Sequence, residues 1–275
     1  MKIGSFLSLK AVLLSAAFVA IPVPAQAAGD LLVAPTRVVL DGARGTEVIL
    51  NNIGAETTTY RISLELRRMT ADGQLEDVSP EDANITEAAA LDMIRYAPRR
   101  VTLPPNQPQA IRIGVRPSSA LPDGEYRAHL LFRAVPDTQP VSADPAPASG
   151  FTIALTPIYG VTIPIIIRQG KVAATAAISN PRVATADGGK VFAFDLARNG
   201  NASTYGEIRV TRPGKSEPVL MARGIAVYPE IKGRTVELPI SDEVAAALTG
   251  PLTVEYRAAD DAGGGLIASA QTVLR

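Results

Sequence analysis

Hydrophobic and polar residues alternate along much of this chain, and the longest such run is Phe151–Arg168, FTIALTPIYGVTIPIIIR. Phe151, Ile153, Leu155, Tyr159, Val161, Ile163, Ile165 and Ile167 fall on one side of it. A period of two predicts an extended strand with one apolar face. Strands usually run about five or six residues, so this one is long. Pro157 and Pro164 lie inside it. Proline has no N–H for a sheet ladder, which confines it to edges, bulges and strand starts. The pattern therefore predicts an edge strand, and an uncovered apolar edge invites another chain to pair with it.

Shorter alternating runs precede it. Leu31–Leu40, Thr46–Asn51, Thr57–Met69, Gln109–Val115 and Glu125–Phe132 read as strands. Asp41-Gly42, Asp72-Gly73 and Leu121-Pro122-Asp123-Gly124 read as turns between them. In Thr57–Met69, Tyr60, Ile62, Leu64 and Leu66 share one face and Arg61, Ser63, Glu65 and Arg67 the other, a strand with one wet side. Glu87–Met93 predicts no more than one helical turn, and Ile94–Val101 is a strand-like run interrupted at Pro98. Residues 136–150, PDTQPVSADPAPASG, have no apolar period and predict a flexible loop feeding into the long strand.

Beyond Arg168-Gln169-Gly170 the strand pattern restarts. Ala173–Ile178, Lys190–Leu196, Glu207–Thr211, Val219–Val227, Thr235–Leu238, Leu252–Arg257 and Leu266–Leu274 are the candidates. Ser241–Leu248 reads as a short helix with Ser241 as N-cap, Asp242 and Glu243 in the first turn and Gly250-Pro251 as its stop. Short strands between turns with little helix predict antiparallel β-sandwiches. Two are expected, residues 28–169 and 170–275, with the hinge near Gln169-Gly170.

The N-terminus changes the picture of where the protein works. Lys2 and Lys10 are followed by the apolar run Ala11–Val23 and the small-x-small site Ala25-Gln26-Ala27. This predicts a signal peptide over residues 1–27, cleaved after Ala27, and an exported protein. The apolar run is too short for a membrane span of about 20 residues. Without the first 27 residues the chain has 25 basic against 27 acidic residues, a net charge of −2. Nothing there favours nucleic acid. Cysteine is absent, so the export compartment supplies no disulfides and the apolar cores must suffice.

Candidate chemistry is sparse. The single histidine, His129, is expected to be a solvated surface residue beside Arg127 and Arg133. With one His and no Cys there is no His-rich metal site and no nucleophile triad. Asp260-Asp261 before a Gly-rich stretch reads as a turn, and no glycine-rich phosphate loop follows a strand. No enzymatic activity, cofactor or metal is expected.

Four stretches at their spacings resemble the periplasmic pilus-assembly chaperones of the chaperone–usher pathway. They are APTRVVLDG, APRRVTLPPNQPQAIRIGV, LPDGEYRAHLLFRAVP and the long strand ending in Arg168. The match covers nearly the whole mature chain. The resemblance implies an all-β protein of two immunoglobulin-like domains in an L or boomerang arrangement, working in the periplasm. It implies pilus or fimbrial subunits and an outer-membrane usher as partners, and β-strand addition as the mode of recognition. The lent residues would be Phe151, Ile153, Leu155 and Tyr159, whereas Val161–Ile167 would face the protein's own core. Arg37 would grip the client's terminal carboxylate. The family's second base would stand four residues before the Arg that ends the long strand, where this chain has Pro164, so Arg95, Arg99 and Arg100 become candidates for that role. Glu125, Arg168 and Asp261 would form an inter-domain salt-bridge cluster. Self-association through the same edge is a further expectation.

Two other classes stay open from the residues themselves. A pilus or surface subunit usually carries a donor extension before one domain, whereas this chain enters a strand almost at once and makes two. An exported carbohydrate-binding sandwich usually displays aromatic platforms, and this chain has no Trp, seven Tyr and six Phe.

Overall fold

The structure is a computed structural model that describes residues 31–41, 44–136, 158–186, 188–259 and 263–275. In the first half the strands are β1 (Leu31–Ala34), β2 (Val38–Asp41), β3 (Thr46–Asn52), β4 (Thr58–Met69) and β5 (Leu75–Val78). Helix α1 (Ile85–Met93) follows, then β6 (Ile94–Ala97), β7 (Arg100–Leu103), β8 (Pro108–Val115), β9 (Gly124–Val135) and β10 (Gly160–Gln169). One sheet has the order β1-β3-β8-β6. The other runs β2-β10-β9-β4-β5, with β7 also paired to β4. Alternation sets which side chains meet between them. Val48 and Leu50 of β3 are fully buried while Glu47 and Ile49 face out. Tyr60, Ile62 and Leu66 of β4 and Leu130 and Phe132 of β9 enter the same core.

Leu31–Leu40 is not one strand. It breaks at Pro35–Arg37, so that β1 pairs antiparallel with β3 in one sheet and β2 pairs parallel with β10 in the other. Pro35 has no N–H to continue a ladder, which makes it a natural place for the chain to change sheets. Arg37 is thereby placed at the crossover.

The long strand keeps its predicted alternation. Ile163, Ile165 and Ile167 lie in the first core, with Val161 packed against it. Along one side β10 is paired with β9 from Gly160 to Gln169. Along the other it meets β2 only over Ile165–Arg168. The edge is therefore covered at its C-terminal end, contrary to the fully bare edge expected, and no described strand lies beside Gly160–Pro164 on that side.

Helix α1 is longer than the single turn expected. Asn84 caps it: its Oδ1 accepts the Glu87 N–H at 2.9 Å, and Glu87 Oε2 accepts the Asn84 N–H at 2.8 Å. This reciprocal capping satisfies two of the helix's orphan donors.

The second half holds β11 (Ala174–Ala186), β12 (Gly189–Gly200), β13 (Thr204–Thr211), β14 (Leu220–Val227) and β15 (Gly233–Ile240). Helix α2 (Asp242–Ala247), β16 (Gly250–Ala258) and β17 (Leu266–Leu274) complete it. The sheets β11-β12-β15 and β14-β13-β16-β17 enclose a separate core around Phe192, Phe194, Val254 and Tyr256. The molecule is thus an all-β protein of two sandwiches, each with its own apolar core. A third, small cluster of Met69, Ile166, Ala226 and Tyr228 draws on both halves. Ile166 faces away from the first core and is fully buried there. Among the described residues no helix is long and apolar enough to cross a membrane.

Candidate functional site

The outer face of the β2-β10-β9-β4 sheet is where the two sandwiches meet, and alternation decides which residues it shows. Because β2 lies parallel to β10 with Val38 opposite Ile165, Arg37 stands level with Pro164. Its Nη1 donates to the Tyr228 hydroxyl at 3.3 Å and its Nη2 to Ser203 Oγ at 3.3 Å. The guanidinium carbon lies 4.2 Å from the centre of the Tyr205 ring. Stacking on an aromatic face fixes the plane of the guanidinium and leaves its edges for directional hydrogen bonds.

Glu125 begins the neighbouring strand and its side chain is fully buried. Oε2 accepts from the Ser203 N–H at 3.1 Å, from Ser203 Oγ at 2.8 Å and from Arg168 Nε at 3.5 Å. The Glu125 N–H also donates to the Asn201 carbonyl at 3.1 Å. A carboxylate removed from water needs such charge-assisted bonds, each worth about 1.5–3 kcal/mol. Asp261, the other acid expected beside Arg168, lies outside the described residues.

One strand position further in, Arg127 lies over the Tyr228 ring at 3.5 Å and donates to the Arg67 carbonyl at 2.9 Å and to Glu230 Oε1. Glu230 Oε1 also accepts the Met69 N–H at 2.8 Å. Next on the same face is His129, and here the expectation of a solvated surface residue fails: it is 2% exposed. Burial, and then the nearby charges of Arg127 and Arg67, push its pKa down from the ordinary imidazole value to about 3. It is a neutral ring, buried on that outer face rather than in the first core.

A cleft of about 480 Å³ opens beside Arg37. Arg37 and Arg168 both line it, together with Ser203, Thr204 and Tyr205, and no acidic residue is among its described lining residues. Two guanidinium groups facing one solvent-accessible space can bind an anion, and a carboxylate suits the fork of either one. The side chains proposed as substitutes for a base at position 164 are elsewhere. Arg95 lines a different cleft with Met93 and Arg116, and Arg99 lies over the Tyr96 ring at 5.4 Å. Arg100 is an exposed residue at the start of β7.

Of the residues expected to be lent to a client, Phe151, Ile153 and Leu155 lie outside the described residues. Tyr159 is exposed, and its carbonyl accepts the Ala134 N–H at 3.0 Å. Ser203, Tyr205, Tyr228 and Glu230 went unrecognised in the sequence. They sit at strand ends in the second sandwich, and nothing in their local pattern reveals that another sandwich packs on them. Among the described residues no group of three or more His, Cys, Asp or Glu is arranged to hold a metal ion.

No family model and no curated protein matches the chain. Solved structures do. The YadV chaperone is 15% identical with a TM-score of 0.46, and the match covers 89% of this chain and 100% of that one. A chain of the CsuC–CsuE chaperone–tip adhesion subunit pre-assembly complex from archaic Csu pili of Acinetobacter baumannii is 12% identical with a TM-score of 0.45, covering 90% of this chain and 98% of that one. A chain of the Salmonella enterica SafA pilin in complex with the SafB chaperone is 18% identical with a TM-score of 0.44, covering 89% and 96%. Each of these three solved structures is described as a chaperone, alone or in complex with a pilin or tip adhesion subunit.

Proposed function

We propose that this protein is an exported chaperone of pilus or fimbrial assembly, which shields a subunit by lending it the strand that begins at Phe151. The observation that carries this is the half-covered edge of β10: β2 occupies Ile165–Arg168, and no described strand lies beside Gly160–Pro164 on that side. The sequence upstream of that free edge continues the apolar alternation through Phe151, Ile153 and Leu155. A guest strand adding there gains main-chain hydrogen bonds, and alternate side chains fill its groove. Each such side chain, once buried, contributes about 1.5–3 kcal/mol. Arg37 stands where the free edge stops, and with Arg168 in the same cleft it supports a grip on the guest's terminal carboxylate. Arg168 then takes the part of the base missing at Pro164, while its Nε stays with Glu125. Asp261 joins that ion-pair cluster in this proposal. The site of action is the periplasm, after removal of residues 1–27, and delivery is to an outer-membrane usher.

The test is co-expression in the periplasm with a fimbrial subunit, comparing wild type with Ile153→Asp and Leu155→Glu. Both variants are expected to fold with an unchanged far-UV spectrum and to leave the subunit insoluble. Recovery of the subunit with either variant at wild-type yield would overturn the lent-strand assignment.

A further inference from the structure

Arg198 stands two residues before the end of β12 and is 8% exposed. None of its hydrogen bonds goes to a carboxylate. Nη1 donates to the carbonyls of Gly200 at 2.7 Å and Ala202 at 2.9 Å, Nη2 to that of Pro229 at 3.1 Å, and Nε to that of Ile231 at 3.3 Å. The first two carbonyls lie at the end of β12 and in its connection to β13. The other two lie in the connection from β14 to β15. A guanidinium taken out of water is costly unless its donors are used, and its planar, pre-organised fork spans carbonyls of two separate segments at once. A lysine ammonium is a single point with three donors.

Those two connections are also the places where the second sandwich grips the first. From one, Asn201 accepts the Glu125 N–H and Ser203 holds the Glu125 carboxylate. From the other, Tyr228 receives Arg37 and carries Arg127 on its ring, and Glu230 accepts from Arg127 and Met69. Arg37 can meet Ser203 and Tyr228 together only if the two connections keep one spacing, and Arg198 ties them to each other from behind.

We propose that Arg198 is the positioning residue of the cleft, holding the two connections at the separation that lets Ser203 and Tyr228 engage Arg37 together. Its functional meaning rests on the carboxylate-gripping role proposed for Arg37, but the positional claim needs no client. The test uses the full mature chain and the variants Arg198→Lys and Arg198→Met, read first by NMR. In wild type the Arg37 Nε–H resonance is expected to be displaced by the Tyr205 ring, 4.2 Å from the guanidinium carbon, and the two sandwiches are expected to relax as one body. In Arg198→Met that resonance is expected to move to its position in Tyr205→Leu, and the two sandwiches to relax with separate correlation times, while resonances from the core around Phe192 and Phe194 stay in place. Arg198→Lys is expected to fall between. An unmoved Arg37 resonance with one correlation time in Arg198→Met overturns the proposal. So does loss of the second core's resonances in both variants, since Arg198 would then be a folding residue of that sandwich alone.

The second readout is binding of a synthetic alternating Val/Thr peptide with a free C-terminal carboxylate. Arg198→Met should weaken it by the same factor as Arg37→Ala, and the double variant should be no weaker than either. If the NMR changes occur but amidating the peptide makes no difference to wild type, Arg198 keeps its positioning role and the carboxylate grip fails. Additive losses would mean that Arg198 does not act through Arg37.

Discussion

His129 is the only histidine in the chain, which makes its effect on stability measurable by itself. In the unfolded chain an imidazole takes up a proton near pH 6.5. In the folded protein it resists protonation down to about pH 3, chiefly because it is buried and then because Arg127 and Arg67 are close. Glu65 stands opposite it on β4, but that carboxylate already accepts from Arg67 at 2.9 Å and Thr162 at 3.0 Å. Pro164, opposite it on β10, has no charge. Below pH 6.5 the unfolded state therefore binds a proton that the folded state cannot, and stability falls as the pH falls. Each unit is worth about 1.4 kcal/mol, so the loss from pH 7.5 to pH 5.0 is about 2 kcal/mol from this one group. The assay is urea unfolding followed by circular dichroism at both pH values, for wild type and His129→Leu. Leucine fills a similar space and does not titrate, so the variant's pH dependence should be shallower by about 2 kcal/mol. The imidazole Cε1 proton should not shift between pH 7.5 and 4. Equal slopes in the two proteins, or an imidazole that titrates near pH 6.5, would refute the buried neutral state.

Further outcomes test the cleft and the helix. Arg37→Ala is expected to weaken a client ending in a free carboxylate by about 1.5–3 kcal/mol, or more than tenfold, and an amidated client hardly at all. Arg168→Gln should show the same dependence on amidation, and an equal effect on both clients would take Arg168 out of the carboxylate site. Asn84→Ala should cost about 1 kcal/mol, read as a lower urea midpoint, because it leaves the Glu87 N–H without its cap. A change below about 0.3 kcal/mol would mean that the first turn of α1 is held from elsewhere, for instance by the Arg68–Glu87 ion pair.

The period-two runs made most of the strands legible because a half-buried sheet face selects apolar residues at alternate positions. Tyr60, Ile62 and Leu66, or Ile163, Ile165 and Ile167, are buried as that pattern demands. The β-stretches of the second sandwich overlap their expected positions, Leu266–Leu274 at identical bounds, but β11 runs on to Ala186 where the expected strand ended at Ile178. Two kinds of feature were not legible. One is where the chain leaves one sheet for another, as at Pro35–Arg37, because alternation is the same in either sheet. The other is a polar face that ends up buried, at Glu125 and Arg127 against Ser203, Tyr228 and Glu230 of the second sandwich. Glu125, Arg127 and His129 carry the signature of a wet side, yet Glu125 and His129 are buried and Arg127 is largely so. Local sequence records which side chains are polar and holds no record of a neighbour some 70 to 100 residues on. The α1 helix was underestimated for a plainer reason: Asn84 and Glu87 form a capping pair that marks its start.

The short parallel seat of β2 on β10 has a consequence for length. From Gly160 to Pro164 the part of β10 with no described strand on that side is five residues, about 17 Å of ladder. A visiting segment advancing along it meets the backbone of Val38, which already occupies the next rung. The protein thus carries a built-in stop with a guanidinium mounted on it. Under the proposed strand addition, such a device would measure how far a segment extends past its last anchoring side chain, and it would reject one a residue or two too long however well its sequence fits the groove.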